Sequence, residues 1–323
     1  MPRVVRPEWI GRRVVVRRVV TFDGSPRFSD TVGYLIRADA ERIVIDSSHG
    51  TVQIDRAAVA EARLVEASTA AQLNLERVAA EGWRPAETEW IGGWLMRADH
   101  GWTGRANSAL PLRAPGRPMA EMVAAAVGWY AQRGLPARIH VPMPARRLLE
   151  RFLADTPFRE PDEVPDIGAW HAGPWIDVLS GRLDHMPAQL SAAVTISATP
   201  DADWLALSRA GTVPATGVAL LARHDRVAFV KVHAAGEVVA IVRGAVDEGW
   251  LGVTALEVAV GQRGRGHGRT AMSALVAWAR AEHSADRGYL QIDATNTAAA
   301  ALYGSLGWWP HHSYRYWEHS ARS

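Results

Sequence analysis

The sequence of 323 residues has no cysteine and a single lysine, Lys231. Without cysteine the chain has no disulfide, no thiolate nucleophile and no cysteine-ligated zinc, and the simplest compartment to expect for it is the cytoplasm. With lysine so scarce, the 36 basic residues are almost all arginine, which reads as the mark of a GC-rich genome and leaves arginine to meet any buried anion. No run comes near the roughly 20 apolar residues of a membrane span, and the opening MPRVVRPEW has no apolar signal core. A net charge of +2 is too small for a nucleic-acid-binding face, which concentrates basic residues. With 48% hydrophobic and 22% charged residues, the chain has the balance of a folded globular protein, long enough for two or three domains.

The stretch that carries chemistry is residues 256–268, LEVAVGQRGRGHG. Leu256, Val258 and Val260 alternate with Glu257 and Ala259, the pattern of a half-buried strand. A run with four glycines, Gly261, Gly264, Gly266 and Gly268, then opens a helical pattern over 269–283. Glycine lets backbone N–H groups converge on a phosphate, and the helix N-terminus behind it adds about half a positive charge. Arg263, Arg265 and Arg269 stand beside it, with His267 among them. The spacing is neither the GxxxxGK[ST] of nucleotide triphosphatases nor a dinucleotide fingerprint with its distal acid. Downstream, residues 290–293 read as a strand, and 296–308, NTAAAALYGSLGW, as a short capped helix ended by Gly307.

Both stretches resemble hallmarks of the GCN5-related N-acetyltransferases. The first matches Arg/Gln-x-x-Gly-x-Gly/Ala through Arg263, Gly266 and Gly268. The second matches Asn-x-x-Ala-x-x-Leu-Tyr-x-x-x-Gly-Phe through Asn296, Ala299, Leu302, Tyr303 and Gly307, with Trp308 in the aromatic place. The resemblance covers residues 193–318 and implies acetyl-CoA as co-substrate, with no metal. It implies that Gly264, Gly266, His267 and Gly268, with Arg263, Arg265 and Arg269, hold the pyrophosphate, and that the strand at Val258 and Val260 pairs with the pantetheine arm. It further implies that Asn296 touches the coenzyme and that Tyr303 protonates the departing sulfur. The alternative for Tyr303 is a packed helix aromatic.

Acetyl transfer from a thioester to an amine needs a neutral amine, a stabilised oxyanion and a proton for the thiolate, but no covalent nucleophile. Glu257, on the strand face opposite Leu256 and Val258, is the candidate base, directly or through water; a solvated surface carboxylate is the alternative. His311 and His312 lie on the last strand pattern, where members of the family line the acceptor pocket. Adjacent strand residues point to opposite faces, so at most one of the two should face the site.

The rest of the chain divides in three. Residues 1–66 hold short β-rich runs that predict a small SH3-like barrel, either a binding module carrying Arg12, Arg13, Arg17 and Arg18 or a support for the rest. Residues 67–190 read as a helix over 69–80, strands at 89–97 and 105–110, a helix over 119–133, a strand at 137–141 and a helix over 145–154. That is the order of an acetyltransferase half, but its loop, LPLRAPGRP over 110–118, has prolines where glycines should donate N–H groups, so it reads as a degenerate copy that does not bind acetyl-CoA. Residues 191–323 form the active half, with a strand at 194–197, a helix over 201–207 and strand patterns at 218–222, 227–233, 237–244 and 256–260. The prolines of 157–174 suggest a crossing between halves. The expected fold class is therefore α+β with a mixed sheet, a tandem of two such halves behind a small barrel.

The β module, the GWTGRANS stretch at 101–108 and the HHSYRY stretch at 311–316 are together similar to actinobacterial N-acetylglutamate synthases. This implies a small-molecule amine acceptor, an amino acid and specifically L-glutamate, and allows a homodimer. Another amine (a protein N-terminus or lysine, an aminoglycoside, a polyamine), or an acyl-CoA-sensing module without turnover, are the alternatives. Glutamate's carboxylates call for arginine. Arg105 leads, with Asn107 two residues along on the same expected strand face; Arg315 and Arg243, on strand patterns of the active half, follow. The alternative for Arg105 and Asn107 is that they tie the halves together.

Overall fold

The structure is a computed structural model and describes residues 5–47, 50–155 and 167–320. Alternation organises the first part: Val14, Val16, Leu35, Ile43, Ile45 and Ile54 are buried, from strands β1 (Arg13–Phe22), β2 (Ser25–Ala38), β3 (Arg42–Ser47) and β4 (Gly50–Asp55), and β5 (Val59–Leu64) adds Ala62. The strands form one antiparallel sheet in the order β4-β3-β2-β1-β5. Its edges β4 and β5 are not paired with each other, so the expected barrel is an open sheet among the described residues. The arginine cluster is partly spent inside the module, because Arg17 is paired with Asp30 and Arg13 donates to the carbonyl of Glu66.

Helix α1 (Thr69–Glu81) is capped by Ser68, whose side chain accepts from the Ala71 N–H. It lays Leu75, Val78 and Ala79 against Val178, Tyr289 and Tyr314. The strand expected over 89–97 is a hairpin of β6 (Glu87–Ile91) and β7 (Trp94–Ala98), because Gly92 takes φ +56° and turns the chain between two tryptophans. The strand expected over 105–110 is mostly absent: residues 101–108 form turns and bends, Ala109 makes a single bridge to Ile139, and Leu110–Pro111 pair as β8. Then come α2 (Met119–Ala131), β9 (Arg138–Met143) and α3 (Arg147–Ala154). Of the crossing expected over 157–174, residues 157–166 lie outside those described, as does His49 of the turn expected before β4.

The main sheet runs β10-β17-β11-β16-β15-β14-β13-β12, with β9 also on β17. Its strands are β10 (Ala169–Ala172), β11 (Ile176–Arg182), β12 (Val194–Ser197), β13 (Val227–Ala234), β14 (Glu237–Asp247), β15 (Trp250–Val258), β16 (Arg287–Asp293) and β17 (Trp309–Ser320). All neighbours are antiparallel except β15 and β16. The two expected halves are thus not two separate sheets: β9 to β11, from the first, are built into the sheet of the second. Helices α6 (His267–His283) and α7 (Thr297–Gly304) contribute Leu275, Trp278 and Tyr303 to the core on one face. Helices α4 (Ala202–Leu207) and α5 (Ala215–Ala222) pack with Trp83 and Trp102 of the first half around Phe229 and Ile241. The strand expected at 218–222 is the end of α5; a short apolar run carries no period that separates the two, and contact of Gly217 with the Trp102 ring settles it.

Candidate active site

Strands β15 and β16 pair only from Trp250 with Arg287 to Val253 with Leu290, although β15 continues to Val258 and β16 to Asp293. Beyond that point they part. On its other edge β15 carries a bulge: Arg243 faces Thr254 and Ile241 faces Glu257, so Ala255 and Leu256 stand opposite Val242 alone. Ala255 takes φ +53°, a conformation that non-glycine residues adopt at a cost of order 1–3 kcal/mol where the surroundings enforce it. A bulge bends its strand, which accounts for the parting. It also puts Thr254 and Glu257 on one face, the face of α1, α4 and α5, while Leu256 and Val258 turn to the α6 side.

At the open end the glycine run forms a cradle. Gly264 and Gly266 take φ +76° and +87°, and Gly266 is the N-cap of α6. None of the backbone N–H groups from Gly264 to Arg269 has an acceptor among the described residues; the helical bonding begins with Thr270 N–H to the Gly266 carbonyl at 3.0 Å. Successive free donors at a helix N-terminus make an anion nest. A Cβ at Gly264 or Gly266 would meet nothing within 4 Å, so those glycines face open space where a phosphate fits. Gly268 instead is buried in α6, where a Cβ would come into ordinary contact with Leu302 and Val258 at 3.5 Å. Arg263 and Arg265 are exposed at the rim, Arg263 donating to the Val258 carbonyl at 3.3 Å, and His267 is half-buried. Arg269 turns away, to the Ser305 hydroxyl at 2.8 Å. Val260 is not on the strand as expected: β15 ends at Val258, and Val260 opens a tight turn, Val260–Gln262, with 79% of its surface exposed. The glycine turn begins two residues earlier than the apolar alternation suggests.

Asn296 is the exposed N-cap of α7, its Oδ1 accepting from the Ala299 N–H at 3.0 Å. Tyr303 is buried against Trp308 with ring centroids 6.5 Å apart, and its hydroxyl has no protein hydrogen-bond partner among the described residues. Burial raises its pKa, so the phenol is held neutral and has a proton to give.

On the opposite face Glu257 accepts from the backbone N–H of Arg209 at 2.8 Å, half-buried beside the turn between α4 and α5. Arg105 is brought to the parting point without a strand: its Nε donates to Oε1 of Gln291, the residue just past the last pairing of β16 with β15, and its guanidinium lies 5.7 Å from the Trp83 ring. Asn107 does not share that position. Its amide accepts from the N–H groups of Asp99 and Gly101 and donates to the carbonyls of Asp99 and Thr103, so it locks the loop that carries Arg105. Arg315 is held by Glu150 of α3 and lies over Trp175 and Trp317, away from the site, because it alternates with Tyr314 and Tyr316 on β17. Arg243 is fully buried and donates to the Leu221 and Gly82 carbonyls; burial pulls its pKa down to about 10.

His311 and His312 do not point to opposite faces. Pairing of β11 with β17 skips His311, with Val178 facing His312 and Leu179 facing Pro310. The extra residue suspends the alternation, and the two rings meet Nδ1 to Nδ1 at 2.8 Å. His312 then reaches the buried Glu76 of α1 at 2.7 Å. Sequence reasoning missed Gln291, Glu76 and His140. A carboxylate at Glu76 inside the apolar stripe of α1, between Leu75 and Ala79, was the one available signal.

With this geometry in hand, known proteins can be set beside it. The sequence model of the family described as "Probable histone acetyltransferase Rv0428c C-terminal" matches residues 69–317. The chain is 32% identical to "Probable histone acetyltransferase Rv0428c" of Mycobacterium tuberculosis over 327 residues, covering 95% of this chain and 94% of that one. It is 27% identical to "Uncharacterized N-acetyltransferase YobR" of Bacillus subtilis, covering 75% of this chain and 96% of that one. Among solved structures, a GCN5-related N-acetyltransferase from Kribbella flavida superposes with a TM-score of 0.58 at 15% identity, over 78% of this chain and 96% of that one, a likeness of fold. The parted strands, the glycine cradle at the head of α6 and the matching relatives agree: the chain belongs to the Rv0428c C-terminal family and is an acetyltransferase of the GCN5-related N-acetyltransferase type.

Proposed function

We propose that the chain transfers the acetyl group of acetyl-CoA to a primary amine by direct attack, and that the acceptor is an amino acid, with L-glutamate the specific candidate. The observation that carries this reading is the parting of β15 and β16 between two chemically different sides. On one side lie the free N–H groups of residues 264–269, suited to a pyrophosphate, and the neutral Tyr303 phenol. On the other lie Glu257, Gln291 and Arg105, suited to an ammonium and a carboxylate. The amine nitrogen attacks the thioester carbonyl, the C–S bond breaks, and the Tyr303 hydroxyl gives its proton to the thiolate. Glu257 takes a proton from the acceptor ammonium directly or through water. Arg105, whose guanidinium is also within reach of the Tyr314 hydroxyl, turns to the acceptor carboxylate, and Gln291 and Asn107 fix where it stands.

A second acceptor, a lysine in a protein, is favoured by the name of the relative that is 32% identical. The surroundings of Arg105 support the first, since a guanidinium at the acceptor side repels a basic peptide and attracts a carboxylate. The β module supports the body through the contact of Trp309 with Gly11, and the 67–190 region serves as a degenerate copy that shapes the acceptor side. The test is coenzyme A release from acetyl-CoA with L-glutamate, with an acetylatable histone tail peptide and with neither. Release with glutamate alone supports the amino-acid reading, release with the peptide alone replaces it, and release with neither removes both.

A further inference from the structure

Arg209, in the turn between α4 and α5, takes φ +46° and ψ +41°, and Ala210 follows with φ +50° and ψ +39°. Two successive non-glycine residues in the left-handed region persist only where their surroundings over-determine them, and such residues gather at functional sites. Arg209 is exposed, yet it is held through its N–H, its carbonyl and its side chain. The N–H donates to Oε1 of Glu257 at 2.8 Å. The carbonyl accepts from the N–H and the hydroxyl of Thr212, at 3.1 and 2.7 Å. The guanidinium makes no hydrogen bond among the described residues and lies 4.8 Å from the centroid of the Trp102 ring. Trp102 is itself fixed on both sides in sequence, because Asn107 accepts from the Gly101 N–H and donates to the Thr103 carbonyl, each at 2.9 Å. Its ring also presses on α5 at Gly217, where a Cβ would come within 2.7 Å of it. The same loop carries Arg105 and its bond to Gln291.

We propose that Arg209 is a positioning residue: its N–H fixes Glu257, and its guanidinium on Trp102 ties that base to the loop of Arg105, so that the ammonium and carboxylate subsites of the acceptor keep one spacing. The inference rests on the reading of Glu257 as base and deepens it. Glu257 follows the bulge of β15, where Ala255 takes φ +53°, so one strained backbone carries the carboxylate and a second grips it. With Oε1 engaged, Oε2 has no partner among the described residues and is left to take the proton of the ammonium. A backbone N–H orients the carboxylate without setting a full positive charge against the ammonium, and the charge of Arg209 is met by the indole instead. Proton transfer depends on that placement, since a shift of about 1 Å at a reacting group can cost about 10²-fold in rate. Two arms leave one locked loop, Trp102 to the base through Arg209 and Arg105 to the carboxylate beside Gln291. A second tie backs them: Arg223, at the end of α5, is paired with Asp99, whose backbone N–H and carbonyl are both held by Asn107. The acceptor that fits two fixed arms carries an amine and a carboxylate at a set separation, as an amino acid does and a lysine within a peptide does not.

The experiment is steady-state kinetics of the full chain, read as coenzyme A release from acetyl-CoA with L-glutamate. Arg209→Gly keeps the N–H and suits the positive φ, so the melting temperature should hold or rise. Without the guanidinium, kcat should nonetheless fall by about 10-fold or more, while the acetyl-CoA Kd stays within about twofold and the glutamate KM within about threefold. Arg209→Lys, which returns a cation to the indole, should bring kcat back to within about threefold of the wild type. A purely structural turn would show the opposite order, with glycine at least as good as the wild type and lysine no better. Wild-type kcat in Arg209→Gly, or no recovery in Arg209→Lys, overturns the proposal. Adding Trp102→Leu to Arg209→Gly should lower kcat no further than Trp102→Leu alone, because both remove one contact, and independent losses overturn the tie. Glu257→Gln separates this inference from the reading beneath it. Undiminished kcat in Glu257→Gln removes the base and the inference together, whereas a loss there beside full activity in Arg209→Gly overturns the positioning role alone. Coenzyme A release with a histone tail peptide and none with L-glutamate overturns the fixed spacing.

Discussion

Nε of Arg105 donates to Oε1 of Gln291, joining a loop of the first half to the first residue of β16 past its last pairing with β15. The bond places a guanidinium at the mouth of the parted strands, on the sheet face opposite α6 and the glycine cradle. Asn107 holds the loop behind it with four bonds to backbone groups.

Arg105→Ala should therefore raise the KM for L-glutamate by about 10- to 100-fold, the worth of a charge-assisted hydrogen bond, with the acetyl-CoA KM and the melting temperature little changed. Asn107→Ala should do the reverse in kind, lowering the melting temperature by several degrees because buried backbone donors and acceptors lose their partner. A glutamate KM that does not move in Arg105→Ala, with a lowered melting temperature, assigns the arginine to the junction between halves alone.

Tyr303→Phe removes a hydroxyl that makes no protein hydrogen bond among the described residues, so stability and acetyl-CoA affinity should be preserved. Turnover should fall by roughly 10²-fold or more if that hydroxyl protonates the thiolate. Single-turnover kinetics decide the matter, and an unaltered chemical rate returns Tyr303 to packing.

Gly266→Glu, in the full chain, should abolish acetyl-CoA binding as measured by calorimetry. At φ +87° any side chain strains the turn, and here a negative charge would project into the free N–H groups of residues 264–269. Gly266→Ala should weaken binding less, since it adds strain without charge.

The protein should lose stability as pH falls from about 7 to 4. Burial holds His311 at a pKa of about 3, against about 6.5 in an unfolded chain. Between those values the unfolded state binds more protons, so stability rises with pH across that window. Glu76, held below its ordinary value, acts in the same direction: its contribution is complete above the unfolded carboxylate pKa and is lost as pH falls toward the folded one. His311→Gln should flatten the upper part of the melting temperature against pH, and an unchanged slope would refute this.

The glycine cradle, α6 and α7 were legible in the sequence because their signals are local: a glycine run before a helix, an asparagine at an N-cap. The acceptor side was not, because it depends on residues set by distant contacts. Arg105 reads as a strand residue but stands in turns held by Asn107, and the face it presents follows from that lock. The histidine pair was misjudged through a bulge at His311 that the strand pattern does not announce. The joining of the two expected halves in one sheet was illegible for a similar reason, since nothing near β9 signals that its partner is β17.

That partnership has a consequence for how the molecule is made. Arg138 of β9 is joined to Glu318 of β17 across 180 residues of sequence, and β10 and β11 wait for the same strand. During synthesis the middle of the chain leaves the ribosome with bare strand edges and cannot close until β17 follows. At about 5–20 residues per second that exposure lasts on the order of ten seconds or more, a window in which edge strands are open to holdase chaperones and to misassembly.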